Sequence, residues 1–134
     1  MVLSRTLALI SGGASGLGRA AAEHLVKRGA RVLITDMNSE GKAVATALGK
    51  QCSFFPADCT SEEQVNAALD HAETHFGEPI NAAINTAGIA FAAKTLNKKG
   101  VPHKLEMYQK VACLAATHAR RTHGPGRRRC RCCT

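Results

Sequence analysis

Two rhythms of apolar residues run along the chain as far as Thr86. Short apolar runs alternate with longer stretches in which apolar residues recur every three or four positions. The runs predict buried strands and the longer stretches predict amphipathic helices. Residues 6–11 form the first predicted strand. Ala20, Ala21, Leu25 and Val26 stand at core spacing within 17–28, which predicts a helix closed by Gly29. Residues 31–35 predict a second strand that ends at Asp36, and 39–48 a helix closed by Gly49. Residues 53–57 predict a third strand. Thr60 and Glu63 are spaced as a capping box, and Val65, Leu69, Ala72 and Phe76 carry one helical face to Gly77. Residues 80–86 predict a fourth strand. The order βαβαβαβ with short loops implies parallel strands joined by right-handed crossovers. The expected spatial order is 3-2-1-4, with a switch point between strands 1 and 4. Beyond Gly88 the pattern loosens into a polar loop over 92–103 and the start of a helix over 105–114.

The first strand runs into Ser11-Gly12-Gly13-Ala14-Ser15-Gly16-Leu17-Gly18, which opens the first helix. A strand, a glycine turn and a helix start form the place where a parallel α/β sheet of Rossmann-like kind binds a dinucleotide. Gly12 permits the tight turn, and Gly16 lets backbone N–H groups approach a pyrophosphate. Gly18 lets the helix pack closely on the strand, and the helix N-terminus faces phosphate charge. Asp36 lies at the end of strand 2, where a carboxylate accepts both hydroxyls of an adenosine ribose and repels the extra phosphate of NADP. Ser15 and Met37 put no basic residue beside it, which favours NAD. Asp58 reads either as a loop acid or helix cap, or as a partner for the adenine amino group helped by the Cys59 backbone. Asn85-Thr86-Ala87-Gly88 ends strand 4, where Asn85 is placed to brace neighbouring strands.

The chain has the length of one domain, 134 residues, and 45% hydrophobic residues supply its core. Aromatic residues make up 4% and there is no Trp, so Ala, Val, Leu and Ile must fill the interior, as suits helices on a parallel sheet. No apolar run approaches a membrane span. The net charge of +8 is uneven: residues 1–110 hold twelve Lys/Arg against ten Asp/Glu, and 111–134 hold six Arg and no acid. Cys52 and Cys59 lie in the body, whereas Cys113, Cys130, Cys132 and Cys133 lie in the tail. With no signal peptide ahead of them, free thiols in a reducing compartment are expected. Arg5, Arg19 and a first acid at Glu23 imitate a mitochondrial presequence. Cleavage after the glycine turn would destroy the fold, which favours a structural role for this segment.

Residues 6–111 resemble the short-chain dehydrogenase/reductase family. The resemblance is carried by Gly12-Gly13-Ala14-Ser15-Gly16-Leu17-Gly18, by 55–62 (Phe-Pro-Ala-Asp-Cys-Thr-Ser-Glu), by Ala87-Gly88-Ile89-Ala90 and by the insertion 94–100. These resemble most the branch that acts on 3-hydroxyacyl-CoA and hydroxysteroid alcohols. The family usually has Thr at the Ser11 position. The resemblance implies NAD-linked oxidation of a secondary alcohol on an acyl-CoA or steroid. It also implies cofactor contacts from Ser15 and Leu17, with Ala87 and Gly88 lying along the cofactor. Mitochondrial placement follows from it too, with the cytoplasm as the alternative.

The departures concern catalysis. Family members carry an Asn, then a Ser and a Tyr-x-x-x-Lys whose tyrosine moves the proton and whose lysine lowers its pKa. Here the one tyrosine, Tyr108, is followed four residues later by Ala112, and Lys110 is only two residues away, toward the opposite side of a helix. Tyr108 therefore reads as a packing residue, and no catalytic residue and no metal ligand is assigned. The expected organisation is a nucleotide-binding half-domain over 1–111 and an Arg/Cys-rich tail over 112–134. The tail reads first as out-of-frame text, then as a disordered segment, then as a binding module. Cys-x-Cys-Cys lacks zinc-site spacing, and no aromatic interleaves the arginines for base stacking. The expected product is a truncated dehydrogenase without activity. Alternatives are a non-catalytic nucleotide-binding partner of a full-length subunit and, third, a basic-tail nucleic-acid binder. Strand 4 would be an open edge that invites aggregation. The family's homotetramer is not expected, since the helices of its dimer interface are largely missing.

Overall fold

The structure, a computed structural model, describes residues 3–89 and 105–106. The chain divides into two compact units, Met1–Ala87 and Gly88–Thr134. The first unit holds β1 (Leu7–Ser11), α1 (Gly16–Lys27), β2 (Arg31–Asp36), α2 (Glu40–Leu48), a 3-10 turn (Gly49–Gln51), β3 (Cys52–Pro56), α3 (Glu62–Phe76) and β4 (Ala82–Asn85). Of the second unit, Gly88, Ile89, Leu105 and Glu106 are described, and the last two are helical, inside the expected 105–114 helix. The loop over 92–103, Tyr108 and the tail over 112–134 lie outside the described residues.

The four strands are parallel in the order β3-β2-β1-β4, as the periodicity predicts. Leu9 pairs with Leu33 and Ala83, and Leu33 pairs with Ser53. Because side chains alternate across a sheet, Val32 and Ile34 face one side of β2 and Leu33 the other. Val32, Ile34 and Ile10 meet Ala22 of α1 and Val44 and Ala45 of α2 in one buried cluster. Leu33 meets Ala68 and Ala72 of α3 in a second, with Leu9, Phe55 and Phe76 packed against it. Alanines at the most buried helical positions bring the helices close to the sheet. Val32, Leu33 and Ile34 are fully buried, each worth about 1.5–3 kcal/mol in transfer free energy.

Two local expectations are corrected. Thr60 does not cap α3. Its N–H (2.8 Å) and hydroxyl (2.7 Å) both donate to Asp58 Oδ1, and Ser61, one residue on, caps the helix by accepting from the Gln64 N–H. The Gln64 side chain, which a capping box would return to the cap residue, accepts instead from the Asp58 N–H at 2.8 Å. The Asp58 carboxylate claims the hydroxyl nearer to it, and the cap moves to the next. The third strand starts and ends one residue earlier than expected. Pro56 closes it, although the Ala57 N–H still donates to the Asp36 carbonyl at 3.1 Å.

Candidate cofactor site

The carboxyl ends of β1, β2 and β4 lie side by side, and the residues singled out in the sequence cluster after them. Gly12 leaves β1 with φ +72°, a conformation that L side chains rarely adopt, and its N–H donates to the Thr35 carbonyl at 2.8 Å. A Cβ on Gly12 would stand 2.6 Å from Ala87 Cα and N. The tight turn is thus also a close approach between the β1 turn and the backbone after β4. Gly18 is buried, and its partner differs from the strand expected. A Cβ there would collide with the Gly12 carbonyl oxygen and with Thr86 Oγ1. It packs the first turn of α1 against the loop before it and the end of β4.

Between these glycines the chain opens to solvent. Ser15, Gly16 and Leu17 are exposed, and no atom of the described residues lies within 4 Å of where a Gly16 Cβ would be. Ser15 is the N-cap of α1, extended at φ −149°, ψ 173°, yet its hydroxyl caps no N–H and the first turn carries no acid. Neither Ser15 nor a first-turn acid therefore cancels the partial positive charge of this helix start. Leu17 and Met37, which follow the ends of β1 and β2, are 76% and 75% exposed. Ser11, at the base of the turn, is buried, and its hydroxyl has no hydrogen-bond partner among the described residues.

Asp36 joins the end of β2 to the glycine turn. Its Oδ2 accepts from the Ala14 N–H at 3.1 Å and its Oδ1 from the Asn38 N–H at 3.0 Å. A carboxylate has about four acceptor positions, so each oxygen keeps capacity for another donor. The Asp58 carboxylate closes the turn before α3, which is the helix-entry role weighed for it in the sequence. Cys59 is half-buried. Burial first, then the charges of Asp58 and Asp36, hold its thiol above the usual range, against a lowering backbone hydrogen bond. Asp36 pairs in register with Pro56, and the Ala57 N–H donates to its carbonyl, so Asp36 and the Asp58–Cys59 turn are neighbours. Cys52, in β3, is pushed up to about 12 by burial and is an inert core thiol.

Among the described residues, bracing of the strands by a side chain at this end falls to Thr86, the neighbour of the Asn85 expected to do it. Thr86 sends its N–H (3.0 Å) and its hydroxyl (2.5 Å) to the Ser11 carbonyl. Asn85 pairs with Ser11 in register and is exposed. Ala87 is half-buried against the Gly12 turn, while Gly88 is exposed. A second bracing residue, Asn81, escaped the sequence reading. It accepts from the Leu7 N–H at 3.1 Å and donates to the Arg5 carbonyl at 2.8 Å, at the other end of the sheet. Only its place as a polar second residue of the predicted fourth strand could have signalled it.

A strand, a glycine turn braced by a neighbouring strand and an acid ending strand 2 define a nucleotide-binding α/β fold. The family model for the short chain dehydrogenases matches residues 6–117, and the chain belongs to that family. It is 53% identical over 107 residues to the 3-hydroxyacyl-CoA dehydrogenase type-2 of Bos taurus and 52% identical to that of Homo sapiens. Each match covers 78% of this chain and 41% of the relative, so the chain spans less than half the length of these curated relatives. Among solved structures it is similar to a 3-ketoacyl-(acyl-carrier-protein) reductase from Brucella melitensis, complexed with NADH, at TM-score 0.75 and 28% identity. That match covers 87% of this chain and 47% of the other. A 3-hydroxyacyl-CoA dehydrogenase type-2 from Mycobacterium avium follows at TM-score 0.70 and 29% identity, covering 88% and 50%.

Proposed function

We propose that this chain is the cofactor-holding part of an NAD-dependent dehydrogenase of the 3-hydroxyacyl-CoA or hydroxysteroid type. We further propose that these 134 residues bind the cofactor without turning over an alcohol. The observation that carries the reading is Asp36, whose carboxylate is held against the glycine turn with acceptor capacity to spare. The residue set fits the group. Gly12 and Gly18 have no room for a side chain. Gly16 leaves open space above an uncapped helix start for a pyrophosphate, with Ser15 and Leu17 beside it. Asp36 takes the ribose hydroxyls of NAD and opposes the additional phosphate of NADP. Asp58 and Cys59 border the adenine, Ala87 and Gly88 lie along the cofactor, and Asn85 stands at the end of the strand that leads to them. The last assignments rest on family likeness.

Bound NAD supplies a hydride acceptor. What these residues add is binding and orientation, since the family's proton-moving Tyr-x-x-x-Lys has no counterpart among these 134 residues: Tyr108 is followed at the fourth position by Ala112. The likeness to the type-2 enzymes also supports a secondary alcohol on an acyl-CoA as the substrate of a longer form, and mitochondrial placement over the cytoplasm. The test is to incubate the chain with NAD and a short 3-hydroxyacyl-CoA and follow NADH absorbance, while NADH binding is measured in parallel. Binding without NADH production is expected. Sustained production would overturn the non-catalytic reading, and absence of binding would overturn the cofactor reading.

A further inference from the structure

Outside the glycine-turn end, the described residues form a second concavity. It is a groove of about 780 Å³ along the outer edge of β3, between α2 and the end of α3. Its floor is Ala45, Cys52, Phe54 and Pro56, and its rim carries Lys42 and Lys50, with no carboxylate in the lining. Neither lysine forms an ion pair among the described residues. Its volume lies within the range of small-molecule sites, which pair an apolar bed with a few placed polar groups.

The edge itself argues against a peptide strand as occupant. The Ala57 N–H donates to Asp36 in β2, so by alternation Phe55 and Ser53 also turn their backbone groups inward, while Cys52, Phe54 and Pro56 turn theirs out. Pro56 has no N–H, and the Cys52 N–H is taken by the Gly49 carbonyl. Phe54 is left as the single outward donor, too few for a ladder. An apolar bed, two cations with no ion pair among the described residues and a blunted strand edge suit a small amphiphile of negative charge.

We propose that this groove binds a single-chain amphipathic carboxylate, its chain along Phe54 and Ala45 and its carboxylate at Lys42 and Lys50. The site is separate from the glycine turn and does not depend on the cofactor reading. The test uses the full chain and a dansyl-labelled undecanoate below its micelle concentration, with decanoate, decanol and decyltrimethylammonium as competitors and saturating NADH as a control. The K42E/K50E double variant changes exposed charges on α2 and the 3-10 turn. It is expected to weaken decanoate about tenfold and leave decanol unchanged, as expected of exposed charge pairs. Thr46→Trp, which fills the groove from an exposed helical position, should weaken both, and circular dichroism should show each variant folded. Unchanged decanoate affinity in the double variant would overturn the proposal. So would decyltrimethylammonium competing as well as decanoate, displacement of the probe by NADH, or no probe binding at all.

Discussion

Asn81 and Asp36 stand at opposite ends of the sheet, and each receives a backbone N–H on a side-chain oxygen. Around Asn81 the polar groups close on one another. Its amide spans Leu7 and Arg5, and Arg31 pairs with Glu78 at 2.6 Å, which holds the Glu78 carboxyl below its ordinary range. Around Asp36 the groups remain open. Ser15 caps nothing, Gly16 faces space, and Leu17 and Met37 stand in water. The same parts that finish the fold at one end are left unfinished at the other. A fold tolerates exposed apolar side chains and an uncapped helix start more readily where something else is to cover them.

The largest break in that contrast is expected from Gly18→Ala. The new Cβ meets the Gly12 carbonyl and the Thr86 hydroxyl, and both hold the turn. Overpacking of this kind costs about 1–3 kcal/mol. Thermal melts should show that loss, and calorimetry should show NADH binding abolished; a variant that binds as before would mean that the turn is not where the cofactor sits. Next come Asp36→Ala and Asn81→Ala, as a pair. Each should cost about 1–3 kcal/mol by stranding backbone N–H groups. They should differ in binding: NADH affinity falls by about tenfold or more in D36A, as for hydrogen bonds to a charged group, and stays unchanged in N81A. Equal losses in the two would erase the distinction between the ends.

The smallest effect belongs to His71, which meets Ser53 Oγ through Nε2 at 3.0 Å and stacks on His75 at 5.7 Å. Burial, then the neighbouring His75, hold its pKa below the ordinary 6.5. The unfolded chain therefore takes up the proton first as pH falls. The stability contribution is full above 6.5 and is lost as pH drops from there through the lowered folded value. Melting midpoints compared between about pH 7.5 and about pH 5.5 should fall less in H71Q than in the parent. Ser53 lies near the amino end of β3, so NADH affinity in the folded protein should not follow this change. A shift in affinity that H71Q removes would join the two ends after all.

The strands and their order were legible because four apolar runs of strand length are punctuated by glycine-closed helices, and right-handed crossovers leave few arrangements. Asp36 was legible by its distance from the glycine turn. The misplaced details share one cause. Thr60 and Ser61 are adjacent hydroxyls with equivalent spacing to Glu63 and Gln64, and only the fold of the Asp58 turn decides between them. Asn85 and Thr86 differ by one step of strand alternation, which sends Thr86 to Ser11. Asn81 joins residues 74 and 76 positions away, and no local pattern carries such a contact. Ser11 shows the opposite case, a residue whose place in the turn was legible and whose buried hydroxyl, without a partner among the described residues, was not.

The most direct test is a calorimetric titration of the 134-residue chain with NADH and, separately, with NADPH. The open, acid-bearing end of the sheet predicts saturable one-to-one NADH binding and NADPH binding at least about tenfold weaker, as a phosphate set against the Asp36 carboxylate requires. Equal affinity for the two, or no heat with either, would contradict it.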